Sequence, residues 1–158
     1  MPRRTIKSHH SRFAVVLLPD VNVLIYAHRL EATEHERYAE WVRALATGPE
    51  PFALSDLGSS GFVRIVTNPK IWDEPTSLDD ALAFIDRLRE RPNARNLTHG
   101  PSSWEIFGRL CRSVRARGKL VADAYHAALA IEHGCELVTA DADFVRFPGL
   151  RWRHPLRE

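Results

Sequence analysis

Four acidic side chains stand where short apolar segments give way to predicted helices: Asp20, Asp56, Asp123 and Asp141. Asp20 follows a predicted strand at residues 15–18, and Asp141 follows another at 136–139. Ligands of open α/β sheets bind at the carboxyl ends of strands, so these two carboxylates converge if their strands are neighbours. Taken singly, each acid could instead cap the helix that follows it.

The other two acids belong to helices. Asp56 opens a predicted helix at 56–66, and Asp123 lies in the first turn of an apolar helix at 120–133. A carboxylate on a buried helix is costly unless it is paired or binds a metal, although a partly exposed acid could simply favour the helix N-terminus. Together the four acids form a candidate set of oxygen ligands for Mg²⁺ or Mn²⁺.

Other common chemistries lack their sequence patterns. No His or Cys pair has the spacing of a zinc site, and no Gly-x-x-x-x-Gly-Lys-Ser/Thr loop is present for a nucleotide. Neither a Gly-x-Ser-x-Gly elbow nor a Cys-His nucleophile pattern occurs. A carboxylate-based metal site is the chemistry that the residue types favour.

Short apolar strands alternate with helices along the chain, which predicts a parallel sheet with helices on both faces, an α/β sandwich. The predicted strands are 14–18, 52–55, 95–98, 136–139 and 150–153. The predicted helices are 21–30, 33–46, 56–66, 77–91, 103–117 and 120–133.

Length and composition fit one globular domain. The 158 residues are 44% hydrophobic and 27% charged, with a net charge of +2, which argues against a disordered or fibrous chain. The longest apolar run, 13–18, is far shorter than the ~20 residues of a membrane helix, and no signal peptide is expected. Two cysteines do not make a disulfide framework, so the expected compartment is a reducing cytoplasm.

The chain begins with a basic segment. Residues 1–12 contain four basic and no acidic side chains. We expect a flexible, solubilising leader there, followed by one globular domain over 13–158; the alternative is an arm that contacts nucleic acid or a partner.

Four segments, in order, resemble the PIN domain and, within it, the VapC-type ribonuclease toxins. They are LPDVNVLIYA at 18–27, GFVRIVTNP at 61–69, LVADAYHAALA at 120–130 and VTADADFVRFPGL at 138–150. Each segment alone is weakly specific, but all four in family order span most of the chain.

The resemblance implies a PIN-like α/β/α sandwich whose acids hold Mg²⁺ (or Mn²⁺) and hydrolyse phosphodiester bonds in structured RNA, of the tRNA or rRNA class. It also implies a cognate VapB-type antitoxin that blocks the site of this toxin. Carried over by position, Asp20, Asp123 and Asp141 match the metal-binding acids. The supporting polar positions match Asn22, Ser55 and Thr139, and Asp143 fits a secondary acid or else a solvated one.

One position departs from the family pattern, which usually has glutamate where this chain has Asp56. The missing methylene removes roughly 1.5 Å of reach. Either a water bridges Asp56 to the metal, since Mg²⁺ keeps several waters, or the site is weakened.

Basic side chains for gripping RNA phosphates are expected near the helix that leads to Asp123. The candidates are Arg109, Arg112, Arg115 and Lys119; the alternative is a solvated helix face. Two competing functions stay open, a catalytically idle RNA-binding module and a DNA-directed nuclease, because the same acids can cut either polymer.

A homodimer is also expected. The helices at 33–46 and 56–66 carry more large apolar side chains than one sheet face readily covers, among them Tyr38, Trp41, Phe62 and Ile65. This excess predicts a hydrophobic partner groove.

Overall fold

A five-stranded parallel sheet forms the centre of the computed structural model, which describes residues 15–157. The strands are β1 (Leu17–Pro19), β2 (Phe52–Ser55), β3 (Ala94–Leu97), β4 (Glu136–Val138) and β5 (Trp152–Arg153). Their order across the sheet is β3-β2-β1-β4-β5, and all neighbouring pairs are parallel.

Six helices cover the sheet. They are α1 (Val21–His28), α2 (His35–Thr47), α3 (Asp56–Val66), α4 (Leu78–Arg89), α5 (Ser103–Val114) and α6 (Lys119–Glu132). One core cluster joins α1 to α4 to the sheet, and a second joins α5 and α6 to its other face. The predicted α/β/α sandwich is therefore confirmed.

The sheet reverses its strand order beside β1. The chain runs outward from β1 through β2 to β3, and β4 then pairs with the opposite edge of β1. Such a switch point leaves a crevice at the carboxyl ends of the two strands, because their connections leave in opposite directions. The condition for Asp20 and Asp141 to converge, that their strands be neighbours, is met.

Several element ends differ from the sequence prediction. Strand β1 is Leu17–Pro19 rather than 14–18, and α5 ends at Val114 rather than residue 117. Arg115 adopts a left-handed backbone conformation with φ of 50°, which terminates the helix early. Gly118, with φ of 54°, then precedes α6.

The apolar excess predicted on the helices at 33–46 and 56–66 is largely absorbed inside the chain. Tyr38 and Phe62 are buried in its own core, where Phe62 stacks on Phe84. Tyr26 of α1 packs against Tyr38, and His28 of α1 and Phe84 of α4 pack against Phe62, so these two side chains give no support to a partner groove. The groove itself stays a prediction.

Two further sequence predictions concern the membrane and the chain end. No helix among residues 15–157 has both the length and the apolar character needed to cross a membrane. The basic leader predicted at 1–12 lies outside the described residues.

Candidate active site

Asp20 lies at the crevice between β1 and β4, directly after the end of β1. Its backbone N–H donates to the carbonyl of Val138 at 2.8 Å, which ties the two strand ends together. Its carboxylate caps α1 by accepting from Val21 N at 2.7 Å, as predicted. The residue is only 8% exposed, so its position is set by the fold.

Thr139 connects the separate parts of this crevice through one hydroxyl. Its Oγ1 donates to Asp20 Oδ2 at 2.8 Å and accepts from Asn22 Nδ2 at 3.2 Å and from Asp141 N at 3.0 Å. One proton and two lone pairs are thereby all used. Since Thr139 is fully buried, the Asp20 carboxylate and the backbone N–H of Asp141 are held by a group that water does not reach.

The more exposed side of the site is organised around a positive charge. Lys119 Nζ lies 3.1 Å from Asp123 Oδ2 and 2.7 Å from Asp141 Oδ2. The helix α6 begins at Lys119, so Asp123 lies one turn inside it rather than in the first turn as predicted, and faces Lys119 across an i,i+4 spacing. Two of the predicted acids already share one cation.

The pKa values of these side chains depend on their burial and on their charged and hydrogen-bonding neighbours. Burial raises the pKa of Asp20 above its ordinary value, although the nearby His126 and the hydrogen bond from Thr139 oppose the shift. Burial alone would raise the pKa of Asp141, but the hydrogen bond and charge of Lys119, together with the hydrogen bond from the backbone of Asp143, outweigh it and lower the pKa. The same hydrogen bond to Asp141 raises the pKa of Lys119, so this ion pair stays charged near neutral pH.

Asp56 has a different environment from the other three acids. Its carboxylate accepts from Arg89 Nη1 at 2.8 Å and is 60% exposed. Ser55, not Asp56, caps α3, since its Oγ accepts from Gly58 N at 2.8 Å. The structure brings together Asp20, Asp123 and Asp141 and directs Asp56 to Arg89, so its membership of the cluster stays a prediction.

A basic cleft of about 370 Å³ borders the acids. Arg115 and Lys119 line it, as do Arg117 and Arg146, together with Asp123 and Asp143. The other two predicted RNA-binding residues lie elsewhere on α5. Arg109 is exposed, and the Arg112 guanidinium packs over Gly108.

Sequence comparisons agree with this geometry. The PIN domain family matches residues 17–150. The chain belongs to the PIN domain family. It is 44% identical over 141 residues to Ribonuclease VapC43 of Mycobacterium tuberculosis, covering 89% of this chain and 96% of that protein, so the resemblance to VapC ribonucleases is confirmed. Ribonuclease VapC25 of the same organism is 34% identical, covering 89% and 99%.

Solved structures share the PIN fold at low sequence identity. VapBC-1 of nontypeable Haemophilus influenzae aligns with a TM-score of 0.66 and 14% identity, covering 90% of this chain and 99% of that one. VapC20 of Mycobacterium tuberculosis, described as a Sarcin-Ricin loop cleaving toxin, aligns with a TM-score of 0.58 and 16% identity, covering 85% and 98%.

The donor chemistry of this PIN domain suits a hard divalent cation on one condition. Carboxylate oxygens of Asp20, Asp123 and Asp141 converge on the crevice, and two of them hold a cation. Within residues 15–157, however, no three His, Cys, Asp or Glu side chains are arranged so as to enclose a metal ion. The condition is that Lys119 leaves Asp123 and Asp141, whose oxygens its ammonium contacts in this structure.

Sequence reasoning missed two residues of this PIN site, His126 and Arg146, and assigned a third, Lys119, to RNA contacts alone. His126 lies one turn after Asp123 and interacts electrostatically with Asp20 and Asp123, while burial lowers its pKa. The i,i+3 spacing of Asp123 and His126 was a usable signal. Arg146 follows the last acidic motif and Lys119 stands four residues before Asp123, yet only the tertiary fold shows that they share a cleft.

Proposed function

We propose that this PIN domain protein is the toxin of a type II toxin–antitoxin pair and a metal-dependent endoribonuclease acting on structured RNA. The observation that carries the proposal is the convergence of Asp20, Asp123 and Asp141 at the switch point of the sheet, beside a basic cleft. Family membership supports the choice of a ribonuclease, since the similar proteins are VapC ribonucleases.

The chain's own residues divide the work of phosphodiester hydrolysis. A bound Mg²⁺ or Mn²⁺ supplies a Lewis acid that polarises the phosphate and lowers the pKa of water. Asp20 and Asp123 would hold that ion, and Asp141 would bind a second ion or orient the attacking water. Thr139 and Asn22 hold Asp20 in place relative to the backbone at Asp141, because their hydrogen bonds join the end of β1, α1 and the loop after β4.

RNA would be gripped in the basic cleft. Arg115, Arg117 and Arg146 line it next to Asp123, so a backbone phosphate held there would stand close to the acids. The left-handed backbone of Arg115 turns the chain at the end of α5, and strained conformations of non-glycine residues concentrate at functional sites.

The test is cleavage by the purified full chain of a labelled RNA hairpin and of single-stranded DNA with the same sequence. A stem-loop that reproduces the Sarcin-Ricin loop is a suitable probe, because VapC20 is described as cleaving that loop. We expect Mn²⁺- or Mg²⁺-dependent cuts in RNA, abolished by EDTA and by Asp20→Asn.

Each other outcome contradicts a different part of the proposal. Cleavage that survives EDTA excludes the metal-dependent mechanism. Equal cleavage of DNA favours the DNA-directed nuclease. Binding of RNA without any cleavage favours the idle RNA-binding module. Mapping new RNA 5′ ends in cells after induction, for wild type and Asp20→Asn, would identify the natural target.

A groove between α2 and α4 is our candidate for docking the VapB-type antitoxin. Its volume is about 590 Å³, with an apolar floor that includes Val42, Phe84 and Leu88. Its rim carries the basic side chains Arg43, Arg87 and Arg91. This combination suits an apolar segment flanked by acidic residues, and the similar solved structures include VapBC complexes.

Ala39 offers a mild way to close this groove, because it lines the rim and is only partly buried. We expect Ala39→Glu to weaken neutralisation by the co-expressed cognate antitoxin without changing RNA cleavage. Undiminished neutralisation would show that the antitoxin docks on another surface. Light scattering of the free toxin tests the expected homodimer, which a monomer at high micromolar concentration would contradict.

A further inference from the structure

We propose that Lys119 is an internal counter-ion of the Asp123–Asp141 pair and that a divalent cation must displace its ammonium in order to bind. Lys119 therefore sets the metal concentration at which the site is filled. This inference rests on the proposed metal site. It concerns a residue that the sequence analysis assigned only to RNA binding.

The contacts of Lys119 place its ammonium between the two acids. Nζ lies 2.7 Å from Asp141 and 3.1 Å from Asp123, both hydrogen-bonding distances. Those two acids are the outer pair of the three that converge on the crevice. A metal that uses both acids therefore competes with the ammonium for the same two oxygens.

The lysine can withdraw without disturbing the fold. Its side chain is 70% exposed, whereas Asp123 and Asp141 are 14% and 24% exposed. Lys119 is also the first residue of α6, so its stem extends from a helix end rather than from a packed interior. Exposed ion pairs bind weakly, so a doubly charged ion can replace the ammonium.

The ammonium also relieves repulsion in the metal-free site. Two carboxylates that share one nitrogen as a partner lie close together, and without a cation between them their charges repel. Removing Lys119 should therefore destabilise the metal-free protein and strengthen metal binding at the same time. Removing a side chain that only contacts RNA would change neither the stability of the metal-free protein nor its affinity for metal.

The experiment titrates Mn²⁺ into the full-length protein and measures free Mn²⁺ by electron paramagnetic resonance, with melting temperatures recorded in EDTA and in Mn²⁺. The variants are Lys119→Gln and Lys119→Met, which remove the charge from an exposed position. Arg117→Gln is the matched control, because it removes a positive charge from the same cleft without touching a contact of Nζ. Lys70→Gln controls for net charge, from the turn after α3.

We expect both Lys119 variants to bind Mn²⁺ about tenfold more tightly than wild type, equivalent to ~1.4 kcal/mol. They should melt at a lower temperature in EDTA and gain more from Mn²⁺ than wild type does. Arg117→Gln should change the affinity less than threefold, and Lys70→Gln should leave it unchanged.

The overturning results are distinct. Equal Mn²⁺ affinity of wild type and both Lys119 variants overturns the counter-ion role and leaves the proposed metal site standing. Weaker binding by the variants also overturns it, since Lys119 would then support the ion. If neither wild type nor variants bind Mn²⁺, the metal site and this inference both fall.

Discussion

The inner and outer parts of the candidate site are held by different forces. The inner part, Asp20 with Thr139 and Asn22, is fixed by hydrogen bonds between neighbouring elements, and its Asp20 and Thr139 are buried. The outer part, Asp123 and Asp141 with Lys119, is more exposed and is held together by a charged side chain that is 70% exposed. Geometry in the inner part depends on the fold, whereas geometry in the outer part depends on the ammonium that contacts both acids.

This difference separates two kinds of damage. A substitution in the inner part leaves buried polar groups without partners, so it should reduce stability as well as cleavage. A substitution in the outer part changes charge near solvent, so it should alter cation and RNA binding while the folded state persists. Single substitutions in each part can test this division.

The largest effect is expected from Asp20→Asn. We expect cleavage to fall at least about 100-fold, because loss of a metal ligand should exceed the 10- to 100-fold typical of groups one shell further out. Asparagine keeps one oxygen, which can still accept from Val21, but its amide group then faces the Thr139 hydroxyl, so the melting temperature should fall as well. Single-turnover cleavage and thermal melts of the same sample provide the check; an unchanged melting temperature would show that the contact with Thr139 does not hold the inner part.

Thr139→Val tests whether the shared hydroxyl positions both acids. The variant leaves partners in Asp20, Asn22 and Asp141 unsatisfied, which should cost about 1–3 kcal/mol of unfolding free energy. Misplaced carboxylates should lower cleavage roughly 10- to 100-fold.

Thr139→Ser is the matched control, since it keeps the hydroxyl and loses one methyl group, worth ~0.8 kcal/mol. Its cleavage should stay within a few-fold of wild type. Denaturant unfolding and cleavage assays are the measurements. If Thr139→Ser and Thr139→Val had the same unfolding free energy and the same cleavage rate, the positioning role would be contradicted.

A smaller effect is expected in the basic cleft. Arg115→Gln and Arg146→Gln should each weaken RNA binding several-fold and lower the slope of log affinity against log salt by about one. Arg109→Gln, on the part of α5 outside the cleft, is the comparison. Filter binding in EDTA at several salt concentrations is the measurement. Equal RNA affinities and equal salt slopes for all three variants would reject the cleft as the RNA site.

The smallest effect is expected from Asp56→Ala. Its partner is Arg89 and its side chain is mostly exposed, so the lost ion pair should cost only ~0–1 kcal/mol. We expect cleavage in Mg²⁺ to fall less than threefold. A loss comparable to that of Asp20→Asn would show that Asp56 leaves Arg89 and joins the cluster; Asp56→Glu, measured in Mg²⁺ and Mn²⁺, then tests the effect of reach.

Local sequence patterns predicted much of the fold that positions the candidate site. The apolar run before Pro19 and the cap at Asp20 are short-range features, and the structure confirms the cap. The motifs also predicted that Asp20 and Asp141 lie at one edge of the sheet, and their strands are indeed neighbours. These features depend on neighbours in sequence, which periodicity and capping rules describe.

Partners of individual charges could not be predicted in the same way. Asp56 pairs with Arg89, 33 residues away, and Lys119 reaches Asp141, 22 residues away. Such contacts depend on how α4 and α6 pack on the sheet, which no local pattern encodes. Arg115 adopts a conformation that most side chains avoid, so a helix predicted to run through it ends early.

The order of the strands along the chain also governs when the site comes into existence. Asp20 follows the first strand to be synthesised, but its hydrogen-bond donor Thr139 follows 119 residues later. At translation rates of roughly 5–20 residues per second, about 6 to 24 s separate the two. Every product of interrupted translation that ends before Thr139 lacks half of the site. A ribosome making this PIN domain is thus exposed to the assembled site only after Thr139 has been synthesised.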